Sequence, residues 1–238
     1  MKKTTTILLY ISLICLGPCF GATYYVSVTG NDSNPGSQSL PFLAIQKGAD
    51  IAVAGDTVVV KAGTYAGAKF YKSGTSVAPI VFRGEPGAIV NAKGSLNTNN
   101  DNLWIRNASY ITIDGFEVHS SLRAGIAVQG EPSPEVHGIV IRNNNCHNNS
   151  RWGIFTGYAE GIRIENNATS YSSIEHGIYV SNSSDNPVIT GNIVHHNNAS
   201  GNFQSGIFLS TSSNNTFDSN VLNNNGGFCC GGAGIFLD

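Results

Sequence analysis

From residue 108 onward, apolar positions recur in short runs with a period of two, and each run is bounded by Asn, Gly or Ser. The clearest is a Gly-Ile-x-aliphatic unit: "GIAV" at Gly125, "GIFT" at Gly153, "GIYV" at Gly177, and "GIFL" at Gly206 and Gly234, with Thr156 at the aliphatic post of the second unit. The glycines are 28, 24, 29 and 28 residues apart. Each of the first four units is followed by a second run ending in asparagine ("IVIRNN", "IRIENN", "PVITGN", "NTFDSN"). A third short run follows, with Val118, Cys146, Thr169, Val194 and Leu222 in matching places. Period-two alternation predicts half-buried strands, and strands this short bury an apolar face only when repeats stack. Three strands per repeat predict three parallel sheets, each gaining one strand per coil at a rise of about 4.8 Å. Asn144, Asn167, Asn192 and Asn220 share the corner after the second strand, where stacked amides can satisfy backbone groups of the turn and each other.

The pattern changes before Gly125. "TYYVSV" predicts a strand and "NDSNPGSQS" a turn-rich loop. "PFLAIQKGADIAVAG" predicts a short helix, with Pro41 in its first turn, Phe42, Ile45, Ala49 and Ala52 on one face, and Gly55 ending it. "DTVVVKAGTY", "APIVFRG", "AIVNA", "LWIRN" and "YITIDGFEV" read as strands of the first coils. The expectation is an all-β parallel β-helix of three sheets, with a short N-terminal helix capping its open end, where a bare strand edge would invite aggregation.

"YYVSVTGNDSNPGSQSLPF", "GDTVVVKAGTY" and "KSGTSVAPIVFRG", followed by the Gly-Ile and Asn repeats, resemble secreted right-handed parallel β-helix proteins of the pectate-lyase-like superfold. That group includes pectate lyases, chondroitinase B, alginate lyases and sugar epimerases, and the resemblance covers nearly all of the mature chain. It implies the right-handed fold, a polysaccharide groove beside the Gly-Ile sheet, and an acidic extracellular polysaccharide as partner, with polysaccharide lyase-like chemistry. Calcium is the cofactor the resemblance would allow. Because these motifs are structural, a non-catalytic glycan-binding, adhesive or structural β-helix is the alternative.

At the N-terminus, Lys2 and Lys3 precede "ILLYISLICLG", and Gly21 or Ala22 offers a small residue for cleavage. That order predicts a signal peptide over 1–22, and so a secreted protein (extracellular or periplasmic) with no membrane segment after leader removal. Residues 23–238 then form one domain: cap and first coils over 23–107, repeat coils over 108–238. The chain stops at "GIFLD" inside a strand, so the last coil is expected to be incomplete. Without the leader's two lysines, 13 − 2 = 11 basic residues face 15 acidic ones. This balance, with no basic run, argues against a nucleic-acid partner. Of the cysteines left, Cys146 falls at an inward post, and Cys229-Cys230 imply no disulfide framework.

In the Gly-Ile strands, Ile126, Ile154, Ile178, Ile207 and Ile235 are expected to face inward, with Val128, Thr156, Val180, Leu209 and Leu237. Ala127, Phe155, Tyr179, Phe208 and Phe236 then face outward. Phe155, Phe208 and Phe236 are candidate sugar-stacking residues, unless loops such as "NNASGNFQ" and "NNGGFCCGGA" cover the stripe. Arg151 and Glu175, two positions before successive glycines, flank it. Arg151 could neutralise a uronate carboxylate while Glu175 or Tyr179 handles a proton. The alternative is a surface ion pair between coils. His176 takes an inward-parity corner post, as Trp152 does one coil earlier, and is expected to be packed and hydrogen-bonded. His119, His147 and His195 share an outward post on the third sheet, interrupted by Ser170. With no acidic or third ligand beside them, no metal site is predicted. His196 reads as an exposed turn residue and Asp185 as an Asx-type turn before Pro187. Elimination needs a base and a neutraliser, often calcium held by acidic side chains. After Arg163 there is no Lys or Arg, and Glu165, Glu175, Asp185, Asp218 and Asp238 are scattered singly. Lys69, Lys72 and Arg83 read as surface or edge residues of the first coils.

Overall fold

The computed structural model describes residues 21–91, 100–183, 193–195, 198–212, 215–226 and 234–237. The chain winds through three parallel sheets, one strand per sheet in each full coil. The sheet carrying the Gly-Ile strands runs Ala68–Phe70, Leu103–Arg106, Ala124–Gln129, Trp152–Gly157, Ile178–Ser183, Ile207–Ser212 and Ile235–Leu237. The second sheet begins with Thr23–Val26, Thr57–Val60 and Ile80–Gly84 and continues through Ile111–Asp114, Val140–Arg142, Arg163–Glu165, Ile193–His195 and Thr216–Asp218. The third holds Gly63–Tyr65, Ala88–Val90, Glu117–His119, Asn145–His147, Ala168–Ser170, Asn198–Ser200 and Val221–Asn223. A two-stranded parallel ribbon, Val136–His137 with Ala159–Glu160, sits between the Gly-Ile and second sheets in sequence.

The core is a column to which all three sheets contribute in each coil, two inward residues from each Gly-Ile strand. Ile154, Ile164 and Thr169 fill one layer, and Ile126, Ile141 and Cys146 the layer below. Cys146 is a free, fully buried thiol, and burial pushes its pKa upward, so it serves as packing. Ile235 and Leu237 pair in register with the inward Ile207 and Leu209.

Both corners flanking the third sheet follow one rule: a residue with left-handed backbone, then a small polar residue turned inward. Asn143 (φ 55°) precedes Asn144, and Asn166 (φ 56°) precedes Asn167. At the other corner Asn148 (φ 52°) precedes Asn149, Gly201 (φ 62°) precedes Asn202, and Asn224 (φ 49°) precedes Asn225. Asn and Gly tolerate the left-handed region, which accounts for the Asn-Asn doublets. The inward amides bond up and down the stack. Asn144 Nδ2 donates to Asn167 Oδ1 at 3.0 Å, and Asn202 Nδ2 to Asn225 Oδ1 at 2.8 Å. The second series was not anticipated. It explains Gly125, Gly177 and Gly206 of the Gly-Ile pairs: a Cβ at Gly177 would lie 2.7 Å from Asn202 Nδ2 and 2.6 Å from Thr169 Oγ1, while at Gly153 the Cβ would meet Gly177 O and Thr169 instead. Asn220 stands at the post of Asn167, two coils on, and Asn192 lies outside the described residues.

Several expected elements are corrected. The helix is only Ile45–Ile51, because Phe42 pairs with Val26 as a bridge, and Phe42 N–H bonds Tyr25 O at 2.8 Å. Asp32 Oδ1 accepts from Leu43 N and Ala44 N at the helix entrance. Ile45, Ala49 and Ala52 still pack into the core beneath the cap. "DTVVVKAGTY" and "YITIDGFEV" each split into two strands on different sheets, and the first strand of the Gly-Ile sheet, Ala68–Phe70, was missed. Val194 and His195 belong to the second sheet, where Val194 pairs with Ile164. Ala199 takes the third-sheet post beside Thr169. The stretch between Ser183 and Ile193 is longer than its counterpart one coil earlier, and that shifts the coil's register.

Candidate functional site

The register of the Gly-Ile sheet sets Lys69, Trp104, Ala127, Phe155, Tyr179, Phe208 and Phe236 side by side, one per coil, on the outer face. The stripe is therefore longer than expected from Phe155, Tyr179, Phe208 and Phe236 alone. Trp104 and Lys69 could have been found by the same alternation, since each lies between two inward apolar residues. The Lys69 ammonium lies 5.9 Å from the Trp104 ring. Phe155, Tyr179 and Phe208 are half-buried, and Phe236 is exposed. Phe208 stacks on Phe236 at 5.2 Å and 9°, while Tyr179 meets Phe208 edge-on at 5.1 Å.

Trp152 and His176 are on this outer face, not inward. Gly and Ile of the Gly-Ile pair both turn toward the interior, the Gly over the corner amides, so the residue before the Gly is thrown outward. Trp152 stacks on Phe155 at 4.6 Å and lies 5.4 Å from Tyr179. His176 stacks on Phe208 at 4.3 Å and 7°, and its Nδ1 accepts from Ser205 N–H at 3.1 Å. Burial lowers its pKa to about 4, so the imidazole is neutral at pH 7.

Two arginines border the stripe. Arg123 lies with its guanidinium carbon 5.0 Å from the Phe155 ring and 5.5 Å from Trp152, a cation–π arrangement. Its Nε donates to Asp101 Oδ1 at 2.9 Å, and Ala124 N–H donates to the same oxygen at 3.0 Å. Asp101 is buried, and that burial raises its pKa to about 6, with Arg123 opposing. Arg151, 49% exposed at its side chain, donates from Nη1 to Glu175 Oε1 at 2.8 Å. The carbon of its guanidinium is 5.8 Å from the Trp152 ring. Arg151, Glu175 and Tyr179 thus share one face, with the cation and the carboxylate already paired between coils. Arg123 and Asp101, 22 residues apart, were not singled out from the sequence. Nothing in either strand's alternation marks them as partners. The indole N–H groups of Trp104 and Trp152 are buried without a hydrogen-bond partner among the described residues.

The other faces spend their charges locally. On the second sheet Arg142 pairs with Asp114 at 3.0 Å and Arg163 with Glu165 at 2.7 Å. On the third, His119 and His147 stack at 5.0 Å, and His147 Nε2 lies 3.1 Å from Glu117 Oε1, an acidic neighbour the sequence reading missed. The next residues of that row are Ser170 and Ser200, so His195 is not part of it. Among the described residues no three His, Cys, Asp or Glu groups converge as metal ligands. Asp185, His196, Cys229, Cys230 with the rest of 227–233, and residues 1–20 lie outside the described residues. Among the described residues no helix is long and apolar enough to cross a membrane.

Comparison with known proteins places the fold. The uncharacterized protein YwoF of Bacillus subtilis (strain 168) is 28% identical over 207 residues, covering 75% of this chain and 42% of the relative. The chain thus spans less than half the length of that curated relative. Pectate lyase Pel9A superposes with a TM-score of 0.73 at 19% identity, over 91% of this chain and 57% of that one. An alginate lyase from Paenibacillus sp. str. FPU-7 does so with a TM-score of 0.64 at 18% identity, over 84% and 65% of the two chains. A rhamnogalacturonan lyase gives 0.59 at 20% identity, over 92% and 63%. At such identities the likeness is one of fold. The model of the right-handed β-helix region matches residues 80–238, and with three parallel sheets stacked coil on coil, the chain belongs to the right-handed β-helix family.

Proposed function

We propose that this chain is part of a secreted β-helix protein that binds an acidic polysaccharide along the outer face of the Gly-Ile sheet. The observation that carries the reading is the row of rings at Phe155, Tyr179, Phe208 and Phe236, one per coil, with Arg123 and Arg151 beside it and Lys69 and the buried Trp104 beyond the ring-free coil of Ala127. Aromatic faces receive the C–H faces of pyranose rings, and cations beside them favour uronate carboxylates. Phe155, Phe208 and Phe236 are the stacking residues, as the alternation suggests. The matched lyases support the reading through their names and fold alone.

Cleavage by elimination is the second reading, favoured by the juxtaposition of Arg151, Glu175 and Tyr179 around Trp152. Glu175 or Tyr179 would take the C5 proton of a uronate as the C4–C5 double bond forms and the bond to the 4-linked oxygen breaks. That oxygen then takes up a proton, and Arg151 neutralises the carboxylate. For Glu175 to act as the base, Arg151 must leave it for the substrate.

The test is native gel retardation in pectate, alginate and glycosaminoglycan gels, beside a Phe155/Tyr179/Phe208→Ala variant of unchanged circular dichroism. Retardation by an acidic glycan that the variant loses supports the groove, and no retardation by any of the three sinks it. Ultraviolet absorbance of unsaturated uronate, lost in Glu175→Gln or Tyr179→Phe, would support elimination. Binding without absorbance would leave the non-catalytic binder.

A further inference from the structure

A shallow recess of about 370 Å³ opens at the corner that joins the third sheet to the Gly-Ile sheet. It is walled by Tyr171, Ser172, Ser173, Asn202, Phe203 and Asn224. We propose that this recess is a binding subsite for a neutral sugar residue. It is distinct from the acidic-glycan groove and does not depend on it.

Three observations carry the assignment. First, Tyr171 and Phe203 are 61% and 39% exposed, among the large apolar residues left open on this surface. The Tyr171 ring is propped rather than free: its Cε1 is 2.7 Å from where a Cβ at Gly201 would stand, so the ring lies on the bare turn of the next coil. Its left-handed backbone (φ 56°) aims it there. A ring held before the ligand arrives loses less entropy on binding.

Second, the floor is rigid. Phe203 N–H bonds Ser172 O at 2.9 Å, Gly226 N–H bonds Asn202 O at 3.0 Å, and the Asn202 and Asn225 amides bond beneath. The Ser172 side chain is turned inward at the corner post and its backbone N–H is taken by Asn202 Oδ1, so it stiffens the floor from beneath.

Third, none of the lining residues is charged. Aromatic rings beside hydroxyls and amides, with no charge, suit the C–H faces and hydroxyl edges of an uncharged pyranose. The volume lies at the small end of small-ligand sites, which fits one or two sugar units.

Saturation-transfer NMR with cellobiose, xylobiose and β-1,4-galactobiose, and with digalacturonate as the charged comparison, tests the proposal. Saturation should reach at least one neutral disaccharide and exceed that to digalacturonate. Tyr171→Asn, which suits the left-handed backbone, and Phe203→Ser should each weaken that binding by about three- to tenfold, the worth of an exposed stacking contact. The Phe155/Tyr179/Phe208→Ala variant should leave it unchanged. Absence of transfer to every neutral disaccharide would overturn the assignment. So would transfer undiminished in both corner variants, or loss only in the Gly-Ile variant. The last outcome would return the sugar to the groove.

Discussion

Replacing Asn167 by Ala tests the corner amides directly. Asn167 is 1% exposed. Its Oδ1 accepts from the backbone N–H of Asn144 and from Asn144 Nδ2, both at 3.0 Å, and its Nδ2 donates to Ile141 O at 2.9 Å. Truncation leaves three polar groups without these partners. A stranded buried group costs about 1–3 kcal/mol, and partial water entry relieves some of it, so the expected loss is about 3–5 kcal/mol. Equilibrium urea unfolding, followed by far-ultraviolet circular dichroism and by the fluorescence of Trp104 and Trp152, reads the effect. With a slope of about 3 kcal/mol per molar urea, the midpoint should fall by more than about 1 M. Asn145→Ala is the comparator, because Asn145 is exposed on the adjoining strand and should move stability by about 0.5 kcal/mol or less. If Asn167→Ala lies within about 1 kcal/mol of Asn145→Ala, the reasoning is refuted, and the corner would be held by its left-handed turns and the core alone.

The glycine rule, the two buried titratable groups and the intercoil ion pair give three further predictions. A Cβ at Gly177 would meet Thr169 Oγ1, Asn202 Nδ2 and Gly206 O at 2.6–2.7 Å, so Gly177→Ala should cost about 2–3 kcal/mol. Gly157→Ala meets first only the end of the Phe155 ring, at 3.0 Å, and should cost less than about 1 kcal/mol; equal melting temperatures for the two would sink the rule. Asp101, raised to about 6 by burial, contributes stability that is present below its unfolded value near 4 and lost as pH rises through 6. His176, lowered to about 4, contributes stability that is present above its unfolded value of 6.5 and lost as pH falls through 4. The two slopes oppose, so Asp101→Asn should steepen the loss on acidification from pH 7 to 5, and His176→Gln should reduce or reverse it; parallel urea midpoints for all three proteins would disprove the pairing. Glu175→Gln, at a pair half-exposed on its arginine side, should change stability by about 1 kcal/mol or less in thermal melts.

The stack was legible because its signal repeats. Ile126, Ile154, Ile178 and Ile207 fall every 24 to 29 residues, all four are buried, and the order of three sheets follows from three runs per repeat. Where one coil departs in length, the same method misplaces residues. Val194 and His195 were assigned to the third sheet because the stretch after Ser183 is longer than its counterpart after Gly157, and counting from the glycine then overshoots. The N-terminal coils carry no Gly-Ile marker, so Ala68–Phe70, three residues long, passed unnoticed, along with the Lys69–Trp104 end of the stripe.

The outer face was less legible for a different reason. Alternation assigns a side chain to a face only while the backbone stays extended, and it fails at the corner where Gly177 yields to Asn202 and Thr169. His176 and Trp152 sit one residue before that break, so parity places them inside, whereas stacking on Phe208 and Phe155 places them outside. Partners across coils are hidden further, because neighbours on adjacent strands lie a full coil apart in sequence: Arg123 and Asp101 by 22 residues, Arg151 and Glu175 by 24. In a stacked fold every post is occupied in each coil, and what a post can do is decided by the side chains above and below it. Arg151 is paired with Glu175 one coil above, and Arg123, one coil earlier at the same post, with the buried Asp101 one coil below. The Arg123 guanidinium also lies over Phe155 and Trp152, whereas the Arg151 side chain is half-exposed. Both cations have a partner, and the coil-to-coil register separates one packed onto the rings of the proposed groove from one open at its edge.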